Sequence, residues 1–183
     1  MVGRIENQRE HSDSPAFQMK WKKKIAVSGK DHIGLGVGAV ILRNKTQILL
    51  IKRSKKLAKE RTTVGMWSIP GGEVEFGERA ESAICREVQE ELGIVIRIKK
   101  LIGHWDQILP RAKVHWHSVT FLCSITSGTP TIKEPEKIAQ LKWFDMNKIP
   151  KNSGVAHVAA PLFMLGKMGR KEFEKRMRET PES

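Results

Sequence analysis

Cysteine is scarce in this chain. Cys85 and Cys123 are its only two. Two thiols build no disulfide framework and, by themselves, no zinc site. They are expected to be reduced and largely buried. Tyrosine is absent, so any aromatic stacking platform must be Trp or Phe. No apolar run reaches about 18 residues, the length a membrane-spanning helix needs. The first residues, MVGRIENQREHSDSPAF, lack the apolar stretch of a signal peptide. The expected compartment is therefore the cytoplasm. Acidic residues are also in short supply, 20 against 33 Lys and Arg, for a formal net charge of +13. Such a field attracts polyanions, nucleotides and nucleic acid included, without choosing among them. The excess gathers around Lys20, Lys22, Lys23 and Lys24, in KRSKKLAKER from Lys52 to Arg61, and around Arg170, Lys171, Lys175, Arg176 and Arg178. Each cluster is read first as a solvated surface. There is no internal repeat and no low-complexity tract.

The 183 residues suffice for one domain with a real core. Residues 1–30 read as a polar, basic extension, 31–155 as the domain, and 156–183 as an amphipathic helix and tail. That helix is expected to pack on the domain or at a dimer contact rather than on a membrane. Within the domain, residues 34–42 and 47–51 are short apolar runs separated by Asn44, which predicts two strands and a turn. Gly34, Gly36 and Gly38 share one face of the first strand, where another group can approach closely or a neighbouring element can pack. They do not form the dinucleotide-binding pattern, because G-x-G-x-x-G is absent and no helix follows. Pro70-Gly71-Gly72 is turn chemistry. A helix is expected over 78–92 with Gly93 as its stop. Strands follow over 94–108, broken near Gly103, then over 114–125 and 139–144, with a turn at 147–150. Residues 156–178 read as helical, with Gly166 and Gly169 as weak points. This order favours a layered α/β or α+β domain.

The predicted helix has two contrasting sides. Ile84, Val88 and Leu92 lie on one side, where they can face a core. Glu87, Glu90 and Glu91 fall within an arc of about 100° on another. Like charges at this spacing destabilise a helix by about 0.2–0.5 kcal/mol per pair, and a cluster near the helix C-terminus opposes the macrodipole. Arg86, four residues before Glu90, relieves part of this. A hard divalent cation relieves more, and Mg²⁺ suits an all-carboxylate site that keeps waters for a phosphate substrate. An ordinary solvated Glu-rich face is the alternative.

The wider segment has the form G-x5-E-x7-R-E-U-x-E-E-x-G-U, where U is a bulky aliphatic residue. Gly72, Glu78, Arg86, Glu87, Val88, Glu90, Glu91, Gly93 and Ile94 fill it without a gap. This resembles the Nudix box, the signature of the MutT-like hydrolases, and weaker resemblance extends over about residues 33–150. The resemblance implies a Nudix-type α/β/α sandwich with a mixed β-sheet. It implies that Glu87, Glu90 and Glu91 ligate Mg²⁺, with Mn²⁺ able to substitute, joined by a backbone carbonyl at Gly71 or Gly72. Glu78 would sit near the metal waters or support the helix. Arg86 would orient a glutamate, and Gly93 would end the helix. A carboxylate takes the proton of the attacking water. Glu134 and Glu136 in KEPEK are loop candidates for that base, with Glu136 taken forward.

The expected reaction is hydrolysis of a diphosphate linkage in a nucleotide, with nucleoside triphosphate to monophosphate plus pyrophosphate preferred. VEFGE and EPEK…LKWFD resemble that branch. The alternatives are an ADP-ribose or other nucleoside-diphosphate hydrolase, an RNA 5′-pyrophosphohydrolase, and a non-catalytic nucleotide sensor. Pro110 resembles a feature of the ADP-ribose hydrolases, although ILPRAK around it reads as a turn. Stacking candidates are Phe76, Trp67, Trp105 and Trp116. His115 and His117 flank Trp116 on the opposite strand face and are candidates for nucleotide or phosphate contact, His117 foremost. Trp143 and Phe144 are expected in the core. Lys52, Arg53 and Lys55 are phosphate candidates by charge alone. The family also makes a homodimer a possible partner.

Overall fold

The computed structural model describes residues 26–54 and 64–179. Lys20, Lys22, Lys23, Lys24, Lys55 and the remainder of the basic run to Arg61 lie outside the described residues. Six strands form a mixed sheet: β1 (Gly34–Arg43), β2 (Gln47–Arg53), β3 (Trp67–Ser68), β4 (Val95–Leu109), β5 (Val114–Ser127) and β6 (Ile138–Asp145). Their order is β3-β2-β1-β5-β4, with β6 on the other edge of β2. The β1–β5 pair is parallel, and the other pairs are antiparallel. Asn44 and Lys45, with φ of 52° and 58°, make the left-handed turn that a tight hairpin requires.

The strand β1 pairs with β2 only at Leu42–Ile48 and Arg43–Gln47, and the two then diverge. The edge of β1 that β2 leaves open is taken by residues 70–74. Ala39 N–H donates to the Pro70 carbonyl, Val37 N–H to the Gly72 carbonyl, and Val74 N–H to the Leu35 carbonyl, each at 2.9 Å. This segment, read from sequence as a turn, therefore completes the sheet. Gly71 makes the approach possible. At φ 144° it lies so close to β1 that a Cβ would strike the Val37 carbonyl.

Two apolar layers cover the sheet. On one face the helix α1 (Ala80–Leu92) buries Ala83, Ile84, Val88 and Leu92 against Val37, Ala39, Ile41, Phe121 and Cys123. The helix starts at Ala80 rather than at Glu78 because Glu78 N–H closes a turn onto the Glu75 carbonyl. It ends as expected: Gly93 is left-handed at φ 65°, and its N–H caps the Gln89 carbonyl. On the other face Val40, Ile48, Leu50, Trp67 and Ile69 meet Val158 and Leu162. The result is an α/β/α sandwich. Cys85 and Cys123 are free thiols, and burial pushes Cys123 up to about 12.

Three local expectations are corrected. Gly103 does not break β4. It sits at a register shift against β5, where a Cβ would meet the Met164 sulfur, so the strand bulges and continues. The C-terminal region is not one helix. It is a π-helical turn Val155–Ala159, α2 (Ala160–Met164) and α3 (Arg170–Glu179), interrupted where Gly166 turns left-handed at φ 69°. The return lets Phe173 stack on Phe163, with centroids 4.5 Å apart, and meet Trp105 edge-on at 5.7 Å. β3 is an additional strand. Trp143 and Phe144 do pack inward, Trp143 under the Arg43 guanidinium and Phe144 against Trp67. Among the described residues, no helix is long and apolar enough to cross a membrane.

Leu92 is wholly buried beneath the sheet. Leu92→Ala is expected to destabilise the fold by about 2–5 kcal/mol, read as a lower urea midpoint with unchanged m-value.

Candidate active site

The acidic side of α1 is built around two arginines. Glu91 is 1% exposed. One of its carboxylate oxygens accepts from Arg53 Nη1 at 2.8 Å, and the other accepts from Gly71 N–H at 2.9 Å. Arg53 Nη2 donates to the Gly71 carbonyl at 2.8 Å. The end of β2, the segment on the edge of β1 and the last turn of α1 therefore meet at one carboxylate. Burial raises the Glu91 carboxyl above its ordinary range, opposed by the Arg53 charge and the Gly71 N–H, and the nearby Glu87 adds a further upward push. Arg53, read from charge as a phosphate contact, directs two nitrogens at its own chain. Behind it stands His157, pushed down to about 4 by burial and by the Arg53 charge, so its ring is neutral at physiological pH.

Arg86 binds the rest of the set. Its Nε and Nη2 grip the two Glu78 oxygens at 3.1 and 2.9 Å. Nη1 reaches Glu87 at 2.9 Å and Glu90 at 3.2 Å, and Nη2 also donates to the Glu73 carbonyl at 3.0 Å. A guanidinium has five N–H donors, and each has a partner here. The hydrogen bonds from Arg86 hold the Glu78 carboxyl below the usual range. Gly72 lets the Glu87 carboxylate come close, because a Cβ there would displace it.

The KEPEK loop closes in from the opposite side. Lys133 N–H donates to the Glu91 carbonyl, and Lys137 Nζ binds Glu134 at 2.6 Å. Lys137 is raised first by Glu134, and also by the charges of Glu87 and Glu91, which places this pair beside the α1 carboxylates. The second Glu134 oxygen is buried and has no hydrogen-bond partner among the described residues. Glu136 is exposed.

The remaining sequence candidates divide among several places. Phe76 is fully exposed. It lines an open groove of about 580 Å³ together with His32, Leu35, Glu75, Glu78 and Glu87. Trp116 pairs with Gly34, and its ring fills the space that a Cβ at Gly29 or Gly34 would need. The period-two glycines thus receive the protein's own Trp116 and, at Gly38, Ile69. His115 and His117 both reach Asp106. Trp67 and Trp105 pack against Phe144 and Phe173, and Lys52 Nζ lies 5.9 Å above the Trp67 ring.

The donor set fits a hard divalent cation. Glu87, Glu90 and Glu91 would supply carboxylate oxygens, although Arg86 already holds one oxygen of Glu87 and of Glu90, and Arg53 and Gly71 N–H hold both of Glu91. The Gly72 carbonyl, hydrogen-bonded to Val37 N–H, keeps a second lone pair. The mutual repulsion of Glu87 and Glu91 is what a cation would relieve. The sequence names Glu134 beside Glu136 as a candidate base, but it does not show the Arg53 clamp, which joins residues 38 apart in the chain.

Removing the clamp exposes the sign of its effect. With its carboxyl raised above 4.5, Glu91 binds protons more tightly when folded than when unfolded, so its burial penalty grows as pH rises through that interval and is complete above it. Arg53→Ala removes the opposing charge. The variant is expected to lose about 3–5 kcal/mol at neutral pH and markedly less near pH 4 (about the ordinary Glu value). Urea unfolding across a pH series measures this, and a deficit independent of pH contradicts it.

Comparison with known proteins places the chain in a family. The family model described as the NUDIX domain matches residues 32–164. A Methanocaldococcus jannaschii protein named ADP-ribose pyrophosphatase is 32% identical over 120 residues, 66% of this chain and 66% of that one. A Stutzerimonas stutzeri protein named NAD-capped RNA hydrolase is 26% identical over 141 residues, 75% of this chain and 48% of that one. The aligned region thus spans about two thirds of the archaeal relative and about half of the bacterial one. The crystal structure of a MutT NUDIX hydrolase from Burkholderia pseudomallei superimposes with a TM-score of 0.64 at 33% identity, covering 75% of this chain and 99% of that one. Matched over most of its length, and carrying the complete box over residues 72–94, the chain belongs to the Nudix family.

Proposed function

We propose that the protein hydrolyses a diphosphate linkage in a nucleotide, and that nucleoside triphosphate to monophosphate plus pyrophosphate is the preferred reaction. The observation that carries this reading is the acidic side of α1 set against the Gly71-Gly72 backbone, with Glu91 bonded to Gly71 N–H, Glu87 packed on Gly72, and Glu87 lining the groove that Phe76 also lines. Glu87, Glu90, Glu91 and the Gly72 carbonyl would hold Mg²⁺, for which Mn²⁺ can substitute. When bound, the cation supplies charge neutralisation at the diphosphate.

The chain's own groups supply the rest. Arg86 aims Glu87 and Glu90 through its hydrogen bonds to both. Arg53 and the Gly71 N–H fix Glu91. In the reaction a water oxygen attacks phosphorus, the bridging P–O bond breaks, and a carboxylate accepts the water proton. Of the two loop candidates, Glu134 is favoured over the exposed Glu136, since its free oxygen is turned inward beside Lys137. Phe76 offers an open ring face for a base, and His117, Trp116 and Arg53 remain candidates for shaping the substrate side.

A second reading, ADP-ribose hydrolysis, is supported by the name of the archaeal relative at 32% identity. It uses the same centre on a different leaving group.

Nucleoside triphosphates (normal and oxidised), ADP-ribose and 5′-triphosphate RNA, incubated with protein and Mg²⁺ and resolved by ion-pair chromatography, separate these readings. The expected result is a triphosphate cleaved to monophosphate and pyrophosphate. Glu90→Gln should lose at least about 10²-fold, and Glu134→Gln should lose more than Glu136→Gln. No cleavage of any substrate with Mg²⁺ or Mn²⁺ overturns the reading. Mg²⁺ is also expected to raise the melting temperature of the native chain, by ligand linkage, and not that of Glu87→Gln.

A further inference from the structure

Apart from the candidate substrate contact at His117, the proposed Nudix centre leaves unused the cluster on the long β4–β5 ribbon. There His104, Asp106 and His117 each offer one ligand atom, all within 4.8 Å of one another. Register creates the cluster. Asp106 pairs directly with His117 across the two strands, and His104 precedes Asp106 by two residues, on the same face of β4. The His104 and His117 rings stack with centroids 5.0 Å apart and planes at 29°. His117 Nδ1 lies 2.9 Å from Asp106 Oδ1, and His115 Nε2 lies 3.3 Å from the same oxygen. Hydrogen bonds from His117 and then His115 hold the Asp106 carboxyl below its usual range, so it is ionised at neutral pH. Three of the chain's six histidines thus converge on one exposed carboxylate.

We propose that His104, Asp106 and His117 form a second metal site, for a borderline transition ion of the Zn²⁺ class. Two imidazoles and one carboxylate are the donors such ions prefer, whereas the all-oxygen set on α1 suits hard Mg²⁺. Ligands about 2.0 Å from a tetrahedral ion lie about 3.3 Å apart. The observed separations bracket that value, so small rotamer changes close the cluster on an ion, with no movement of the strands. The ion replaces the proton shared between His117 and Asp106. His115 remains as the outer partner that orients the carboxylate. Three protein ligands leave one position open to water or an anion. The site lies beside the groove, since Leu35, which lines the groove, pairs with His117 across β1 and β5.

The test uses the full-length, tag-free chain, stripped with chelator and returned to excess Mg²⁺ so that the box is saturated. Co²⁺ is titrated in and followed by its visible absorption, then displaced with Zn²⁺. The expected result is one equivalent of Co²⁺ bound in the micromolar range and displaced by Zn²⁺. Affinity should fall at least about 10-fold in His104→Ala, Asp106→Asn and His117→Ala, each shown by circular dichroism to be folded. Glu90→Gln should bind Co²⁺ as the native chain does, which separates this site from the box. The proposal is overturned if no stoichiometric Co²⁺ binds, if binding survives in the His104→Ala/His117→Ala double variant, or if Glu90→Gln abolishes it.

Discussion

Everything at the candidate centre depends on one buried ion pair, Arg53 with Glu91. Glu91 is inaccessible to water, and an ionised carboxylate in such a place is costly unless it is fully paired. Arg53 and the Gly71 N–H provide the pairing, and Arg53 also holds the Gly71 carbonyl. Residues 53, 71 and 91 are far apart in the chain, and this contact joins them. It fixes the glycine segment to the edge of β1 and sets the height of α1 relative to that segment. The core beneath α1 supplies adhesion but little direction. The ion pair sets the registration that brings Glu87 against Gly72.

Arg86 plays the complementary part at the exposed end of the same face. Its donors reach Glu73, Glu78, Glu87 and Glu90. A planar fork can do this and an ammonium cannot. The two cations offset the repulsion of carboxylates crowded at the unfavourable end of the helix dipole, and Glu87 still lines the groove. A helix stable on its own would carry fewer acids here. Under the proposed function, a divalent ion and an anionic substrate would be the remaining partners of these acids.

Much of this was legible in the sequence, and for local reasons. The hairpin at Asn44, the stop at Gly93 and the apolar face of Ile84, Val88 and Leu92 follow from short-range stereochemistry and periodicity. The box spacing pointed to the family and to the acidic face. The groups that assemble the centre were less visible. Arg53 reads as one more charge in a basic run, and its partner lies 38 residues away. The strand-like role of residues 70–74 is hidden by Pro-Gly-Gly, which reads as a turn until β1 presents a vacant edge. Gly103 looks like a strand break, but its neighbour Met164 arrives from beyond β6. The histidines around Asp106 were read for nucleotide contact, and only cross-strand register shows that they share a carboxylate.

The most direct test of the central role given to the Arg53–Glu91 pair is a double-mutant cycle on unfolding free energy, using Arg53→Met, Glu91→Gln and the double variant at neutral pH. A buried pair that organises three segments predicts a coupling energy of at least about 2 kcal/mol, with the double variant far less destabilised than the two single losses would sum to. Additivity within about 0.5 kcal/mol would show that the two side chains act independently, and would contradict the account of how the centre is held together.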